Sequence, residues 1–388
     1  MQKKIKVMMV FGTRPEAIKM APIVLQMRKY PEDILPIVAV TAQHREMLDQ
    51  VLELFKIRPD YDLDIMAKGQ TLFDITSRAM KGLDTVLTKE APDLVLVHGD
   101  TTTTFAGALA AYYHQISVGH VEAGLRTHNK YSPYPEEMNR KLTGAIADLH
   151  FAPTDTSKNN LLAESVKDED IFVTGNTVID ALHHTVREDF EFKDEFLKRI
   201  NFKENRIILV TTHRRENLGE PMRHVYKALK DLVEEITDAH IVFPVHKNPK
   251  VREVVQEELG GLEKVHLIDP LDYEPFANLI NRAYLVLTDS GGIQEEAPSL
   301  GKPVLVLRDT TERPEAVSAG TVKLIGTDRD RVYSEAKKLL IDSDEYKKMS
   351  EAYNPYGDGE AAKRIIEAIL YRYGKRELPP EPFKAAQQ

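Results

Sequence analysis

Short apolar runs alternate with longer amphipathic stretches along most of the chain, and this alternation predicts strands and helices in turn. In the first half, the runs predicted to be strands are 6–12, 35–41, 93–99, 116–122 and 148–154. They are continuously apolar, which is typical of strands covered on both faces of a parallel sheet. The sequence therefore predicts an α/β domain with a doubly wound parallel sheet.

The same pattern begins again after an irregular, charged stretch near 187–205. The further predicted strands are 206–212, 240–246, 264–269, 284–289 and 302–307. We therefore expect two Rossmann-like domains in series, with their boundary near 170–175. The predicted domains are 1–171 and 172–358, followed by a helix at 359–374 and a frayed tail at 375–388.

Composition narrows the possible functions. The 388 residues carry 52 basic and 61 acidic side chains, and the net charge of −9 provides no general attraction for nucleic acid or an anionic membrane. The chain has no cysteine, which excludes disulfides, thiolate metal sites and cysteine nucleophiles. No stretch approaches the ~20 apolar residues of a membrane span, and the N-terminal apolar run is too short for a signal peptide. We expect a cytoplasmic protein.

Polar side chains follow directly after several predicted strands of the first domain. In open α/β sheets, ligands bind beyond the carboxyl ends of the strands. Arg14 and Lys19 place two cations near a helix start, which suits a phosphate or pyrophosphate. Asp100 follows a later strand, Glu122 ends another, and Glu136 begins a helix after a proline-rich loop. Helix capping alone would also account for acidic residues at helix starts.

The second domain presents cations and a glycine-rich turn at the equivalent strand ends. His213 follows one of its predicted strands, and His246 ends another. The segment "TDSGGIQEE" ends a strand and turns into a helix, where backbone N–H groups can hold a phosphate. A carboxylate one turn later can accept from a ribose diol. These features predict a nucleotide diphosphate site, and the carboxylates of the first domain predict acid–base chemistry on a neutral group.

The motifs "GTRPEAIKMAP", "VHGDTTTT", "GHVEAGLRT", "SPYPEEMNR", "THRRENLGEPM" and "TDSGGIQEEAPSLGKPVLVLRDTTERPE" closely resemble those of bacterial non-hydrolysing UDP-N-acetylglucosamine 2-epimerase. The resemblance runs from about residue 5 to about residue 373. It implies the GT-B fold, in which two Rossmann-like domains face a deep cleft and the C-terminal helix crosses back to the first domain.

The resemblance also implies the reaction, which is reversible C2 epimerisation of UDP-GlcNAc to UDP-ManNAc. The family eliminates UDP to give 2-acetamidoglucal and then adds it back, and the product supplies ManNAc for cell-surface polysaccharide. No cofactor and no metal are implied. The matching catalytic positions are Asp100, Glu122, Glu136 and His213. The matching substrate-binding positions are Arg14, Lys19, Leu271, Phe276, Ser290, Gly291, Gly292, Glu296 and Arg313.

Many members of the family bind UDP-GlcNAc a second time, as an allosteric activator, and form homodimers. The positions that match this second site are Gln43, Gln70, Arg214 and His246. Glu46 and Gly69 stand where relatives tend to have an amide and an arginine, so we expect weaker activator binding. We expect a homodimer whose interface the sequence does not locate.

Other functions fit parts of the pattern. A GT-B glycosyltransferase that uses a UDP-sugar would share the fold and the nucleotide site, but it would need an acceptor pocket where this chain has carboxylates. A catalytically silent UDP-sugar sensor would not need all four catalytic positions. The absence of a G-x-G-x-x-G fingerprint disfavours an NAD-dependent oxidoreductase.

Overall fold

The computed structural model describes residues 3–43, 45–214 and 217–385, which form two compact units. The first unit contains Met1–His183 together with Tyr356–Ala385, and the second contains His184–Pro355. The predicted boundary at 171/172 therefore lies within the first unit. The reason is that Ile171–Val173 forms a strand that pairs with Leu149–Ala152.

The first unit is built on a seven-stranded parallel sheet. Its strands are β1 (Ile5–Phe11), β2 (Ile34–Val40), β3 (Tyr61–Asp62), β4 (Leu94–His98), β5 (Ser117–Val121), β6 (Leu149–Ala152) and β7 (Ile171–Val173). Their order is β3-β2-β1-β4-β5-β6-β7. Its helices are α1 (Arg14–Met27), α2 (Arg45–Leu54), α3 (Leu72–Glu90), α4 (Thr102–Tyr113), α5 (Glu136–Ile146), α6 (Asp155–Ala163) and α7 (Thr177–Thr185), the last of which ends just beyond the unit.

The second unit repeats this architecture with six parallel strands. They are β8 (Arg206–Thr211), β9 (Ala239–Pro244), β10 (Val265–Ile268), β11 (Leu285–Thr288), β12 (Val304–Val306) and β13 (Val322–Leu324), in the order β10-β9-β8-β11-β12-β13. Its helices are α8 (Glu220–Glu235), α9 (Pro249–Leu259), α10 (Tyr273–Arg282), α11 (Ile293–Ser299), α12 (Pro314–Ser318), α13 (Arg329–Ile341) and α14 (Ser343–Ser350).

The helix predicted at 359–374 is α15 (Ala361–Arg372), and it packs against α1 of the first unit. Asp180 of α7 caps its start by accepting from the backbone N–H groups of Ala361 (3.2 Å) and Ala362 (2.8 Å). The predicted frayed tail is instead packed on the first unit at Phe383, which is buried and whose N–H donates to Val173 O. The last three residues of that prediction lie outside the described part of the chain.

Both sheets have the doubly wound strand order of Rossmann-like domains, so the predicted fold of each domain is confirmed. In each unit, the central strands are apolar and buried on both faces; β4 and β11 are buried throughout. The strand order reverses between β1 and β4 in the first unit and between β8 and β11 in the second. Doubly wound sheets bind ligands beyond the carboxyl ends of the strands at such a reversal.

Candidate functional site

The predicted site residues of the first unit follow its central strands. Asp100 and Glu122 come directly after β4 and β5, which pair in parallel with His98 opposite Val121. The N–H of Gly99 extends this pairing by donating to Val121 O at 2.9 Å. The two carboxylates therefore leave the same edge of the sheet from adjacent strands.

Glu122 lies in a cluster of donors that all approach one of its carboxylate oxygens. Lys19 of α1 and Asn176 (3.2 Å) donate to Oε2, and His98 Nε2 lies 3.4 Å from the same oxygen. Only 9% of the Glu122 side chain is exposed. Burial alone would raise the pKa of this carboxyl group, but the interactions with Lys19 and His98 outweigh it and hold the pKa well below its usual range. Glu122 is therefore a carboxylate at neutral pH.

Asp100 is held by the first turns of α5. Arg140 donates to its Oδ2 from Nε (3.0 Å) and Nη2 (2.7 Å), and Asn139 donates to its backbone carbonyl (2.9 Å). Arg140 in turn contacts Glu137, which is fully buried and accepts from the backbone N–H groups at the start of the loop that precedes α5. This network fixes the carboxylate of Asp100 and leaves its Oδ1 without a donor among the described residues.

Glu136 is the first residue of α5, beside the residues that hold Asp100. Its Oε2 is buried and accepts no hydrogen bond within the described part of the chain. Buried polar atoms are nearly always hydrogen-bonded, so an orphaned carboxylate oxygen indicates a position that a ligand completes. The structure thus groups Asp100 and Glu136 through one helix start, and Glu122 follows the neighbouring strand.

The turn after β1 is fixed by Glu16 and presents Arg14. Glu16 is buried, and its two oxygens accept from the backbone of Gly12 and Thr13 and from the hydroxyl of Thr101. Gly12 leaves no room for a side chain, because an added Cβ would lie 1.9 Å from Thr41 Oγ1. The Arg14 guanidinium makes no hydrogen bond or ion pair within residues 3–43, 45–214 and 217–385, so its donors remain available to a ligand.

Gln43 and Gln70, two of the predicted activator contacts, lie together in the first unit. Gln70 Nε2 donates to the backbone carbonyl of Gln43 at 3.4 Å, and Thr103 donates to Gln43 Oε1 at 3.2 Å. The two other predicted activator contacts, Arg214 and His246, belong to the second unit.

In the second unit, a buried aspartate organises the segment after β8. Asp289 follows β11 with its side chain fully buried, and its Oδ1 lies 3.0 Å from His213 Nδ1. Its Oδ2 accepts from the backbone N–H groups of His213 and Arg214, each at 2.9 Å. Burial alone would raise the pKa of Asp289, but the hydrogen bonds from His213 and from the Arg214 backbone outweigh it and lower the pKa.

This contact determines which nitrogen of His213 carries a proton. An ionised carboxylate only accepts hydrogen bonds, so Nδ1 of His213 must donate to it. Nε2 is then the nitrogen that can act on a ligand. The His246 ring lies nearby, with its centroid 6.0 Å from that of His213.

The segment Ser290–Gly292 turns from β11 into α11 and exposes backbone donors. The N–H groups of Gly291 and Gly292 donate to no acceptor in the part of the chain that the structure describes. An added Cβ at Gly291 would meet no atom within 4 Å, so this backbone borders open space. Unpaired N–H groups at such a turn can bind an anion.

The predicted ribose and further substrate contacts flank this turn. Glu296 is half-buried, and its Oε1 lies 3.6 Å from the position of an added Cβ at Gly292. Arg313 forms an ion pair with the buried Glu295, which fixes its guanidinium on α11. Leu271 and Phe276, predicted to border the uracil, are half-buried before and within α10.

Sequence reasoning did not identify several side chains that hold these groups. The sequence motifs assign no role to Asn176, Arg140, Glu137, Asp289 or His98. Local sequence patterns do not show these contacts because the partners are far apart in the chain: Asn176 is 54 residues from Glu122, and Asp289 is 76 residues from His213. A buried acidic or amide side chain beside a strand end is the only local hint.

Within the described residues, no group of three or more His, Cys, Asp or Glu side chains is arranged to hold a metal ion. None of the described helices combines the length and the apolar character that crossing a membrane requires.

Comparison with known proteins gives strong matches over nearly the whole chain. The family model described as UDP-N-acetylglucosamine 2-epimerase matches residues 26–370. The UDP-N-acetylglucosamine 2-epimerase of Bacillus subtilis is 62% identical over 381 residues, which are 98% of this chain and 99% of that protein. A solved UDP-GlcNAc 2-epimerase from Neisseria meningitidis, bound to UDP-GlcNAc, is 51% identical and has a TM-score of 0.82 over 94% of this chain and 100% of its own.

A more distant structural match bears on the fold alone. A solved glycotransferase of kitacinnamycin is 12% identical, with a TM-score of 0.60 over 90% of this chain and 94% of its own. The two parallel-sheet units and these neighbours confirm the expected GT-B fold.

Proposed function

This chain belongs to the UDP-N-acetylglucosamine 2-epimerase family, and we propose that it interconverts UDP-GlcNAc and UDP-ManNAc by eliminating UDP and adding it back. The observation that carries the proposal is the set of three acidic side chains at one end of the first sheet: Asp100 and Glu122, each held through one oxygen, and Glu136, which has a buried oxygen without a partner among the described residues. The His213–Asp289 pair beside an anion-binding turn in the second unit supports it.

The chemistry explains why both sets of groups are needed. The C2 proton of the sugar is too weakly acidic for simple removal and return. Removing it while the C1–oxygen bond breaks forms a C1=C2 double bond and gives 2-acetamidoglucal and UDP. UDP then re-forms the C1–oxygen bond, and a proton reaches the opposite face of C2. Two faces of one carbon require at least two acid–base groups.

We assign the proton chemistry at C2 to Asp100 and Glu122, with Glu136 beside them. Glu122 is held as a carboxylate by Lys19 and its neighbours, which suits a group that takes a proton. Asp100 keeps one oxygen without a donor while Arg140 holds the other. The buried, unpartnered oxygen of Glu136 is suited to accept from the sugar.

We assign the UDP moiety to the second unit and to the cations after β1. The Ser290–Gly292 turn, through the N–H groups of Gly291 and Gly292, and His213, protonated at Nε2 as a cation, would stabilise the charge that develops on the departing diphosphate. Glu296 would accept from the ribose, and the segment from Leu271 to Phe276 would border the uracil. Arg14, Lys19 and Arg313 would supply positive charge, which a chain of net charge −9 must concentrate locally.

The test is proton NMR of UDP-GlcNAc incubated with the protein in D₂O. We expect a ManNAc anomeric signal to grow while deuterium enters C2. Absence of a new sugar and of exchange, in a preparation shown to bind UDP, would contradict the proposal. A UDP-sugar-dependent glycosyltransferase would then be the next hypothesis, to be tested by an acceptor screen.

We further propose that UDP-GlcNAc activates the enzyme through Gln43, Gln70, Arg214 and His246, and that the protein is a cytoplasmic homodimer supplying ManNAc for cell-surface polysaccharide. The contact between Gln43 and Gln70 supports a shared role for these two amides.

Activation predicts that UDP-ManNAc alone is converted slowly until a little UDP-GlcNAc is added. A dimer predicts twice the 44.0 kDa chain mass in light scattering.

A further inference from the structure

We propose that His98 and Asn176 are positioning residues that anchor Oε2 of Glu122 and thereby leave its Oε1 to exchange the proton at C2. This inference rests on the proposed function, because it takes Glu122 to be an acid–base group. It concerns two side chains that are not among the predicted site residues and that would not themselves touch the sugar.

The first support is the convergence of donors on a single atom. Lys19 Nζ and Asn176 Nδ2 donate to Oε2, the latter at 3.2 Å, and His98 Nε2 lies 3.4 Å from it. Oε1 accepts no hydrogen bond from any residue that the structure describes. A carboxylate held through one oxygen keeps a fixed orientation and presents the other oxygen to a reacting group.

The second support is the position of His98. It is the last residue of β4, only 4% of it is exposed, and its Nε2 has no hydrogen-bond partner among the described residues. Its backbone is fixed, because it pairs with Val121 and its carbonyl accepts from Thr104. A buried polar atom without a partner is unusual, and Glu122 Oε2 is the acceptor that a small shift would bring within range.

The third support is the backbone of Glu122, whose φ of 61° lies in the left-handed region. Non-glycine residues keep such a conformation only where the surroundings impose it, and these positions concentrate at functional sites. Here the surroundings are three elements of the first unit. α1 contributes Lys19, β4 contributes His98, and the loop after β7 contributes Asn176.

The role proposed for Lys19 makes the other two donors necessary. If Lys19 turns to the phosphate when the nucleotide sugar binds, Glu122 loses its strongest partner and becomes a better base. His98 and Asn176 then remain to hold its orientation. Loss of His98 should therefore affect kcat, which reports the enzyme–substrate complex, more than kcat/KM, which reports the free enzyme.

The experiment compares His98→Phe, His98→Gln and His98→Asn by the pH dependence of kcat and kcat/KM. Phenylalanine fills the site but donates no hydrogen bond. The amide nitrogen of glutamine reaches close to the former Nε2, whereas that of asparagine falls short of it. Loss of a hydrogen-bond donor raises the pKa of Glu122. We therefore expect the acidic limb of the pH profile of kcat to move up by about one pH unit in His98→Phe. We expect the glutamine variant to retain the wild-type limb.

The matched control is His150→Phe. His150 is a buried histidine on β6 of the same sheet, and no contact joins it to Glu122. We expect its pH profile to match that of the wild type. If His98→Phe does not fold, the comparison of glutamine with asparagine takes its place, and only asparagine should move the limb.

An unshifted limb in a folded His98→Phe or His98→Asn variant would overturn the inference. Equal shifts in the glutamine variant or in the His150→Phe control would overturn it too, since the hydrogen bond would then not be the cause. A failure of the proposed function can be distinguished from a failure of this inference. If the protein is not an epimerase, the wild-type protein will show no deuterium exchange at C2, and this is measured before any variant is made.

Discussion

Replacing Asp289 by asparagine tests whether this buried carboxylate controls the proton on His213. The change keeps the side-chain shape and removes its charge. The backbone N–H groups that donate to Oδ2 at 2.9 Å require an acceptor, so the amide oxygen must take that position. The amide nitrogen then occupies the position of Oδ1, 3.0 Å from His213 Nδ1. Nδ1 must now accept, and the single ring proton moves to Nε2.

The size of the effect follows from the bond that is lost. A hydrogen bond to a charged group contributes ~1.5–3 kcal/mol, and ~1.4 kcal/mol corresponds to a factor of ten. Asp289 is fully buried, but His213 is 41% exposed, so solvent screens the pair and the lower end of this range applies. We expect kcat to fall about tenfold, because His213 can no longer become a cation readily as UDP departs.

The assay is the initial rate of UDP-ManNAc formation, measured together with UDP affinity by calorimetry and folding by circular dichroism. We expect UDP affinity to change far less than kcat. Asp309→Asn is the control, since Asp309 is an exposed carboxylate after β12 and should tolerate the change. A folded Asp289→Asn protein with wild-type kcat would refute the role given to this carboxylate.

Three further predictions concern proton transfer, stability and metal dependence. Asp100→Asn and Glu122→Gln should each lower kcat by ~10²–10⁴-fold in the NMR assay, as expected for positioned acid–base groups, and wild-type turnover would remove that residue from the mechanism. Burial raises the pKa of Asp180 from 3.8 to about 7, so native stability should decline as the pH rises between these values. In urea unfolding, the free energy of unfolding of Asp180→Asn should decline less with pH than that of the wild type over that interval. Parallel plots of this free energy against pH would contradict the prediction. EDTA should leave the rate unchanged, and a loss that Mg²⁺ or Mn²⁺ restores would show that a metal takes part.

The central strands of both sheets could be predicted because each is a continuous apolar run that is buried on both faces. Three short strands were missed. β3 has two residues, and β7 and β13 have three each, and each lies at an edge of its sheet. An edge strand has one pairing neighbour and needs no long apolar run, so its sequence differs little from that of a loop.

The positions of the candidate site residues could be predicted from the rule that ligands bind beyond the carboxyl ends of parallel strands. Asp100, Glu122 and His213 all stand there. Their partners could not be predicted, because the anchoring of Glu122 by Asn176 and of His213 by Asp289 depends on which strands become neighbours. The boundary between the units was also predicted too close to the N-terminus. The reason is that β7, which begins at the predicted boundary, pairs with β6 of the first unit.

The most direct test of the central claim is whether the bond between C1 and the diphosphate oxygen breaks during epimerisation. UDP-GlcNAc labelled with ¹⁸O in the oxygen that bridges C1 and the β-phosphate is incubated with the enzyme, and the label is followed by ³¹P NMR. Elimination and re-addition predict that the label moves into non-bridging β-phosphate positions as UDP-ManNAc appears. Deuterium entry at C2 with the label still entirely in the bridge would contradict elimination and require a mechanism that keeps this bond intact.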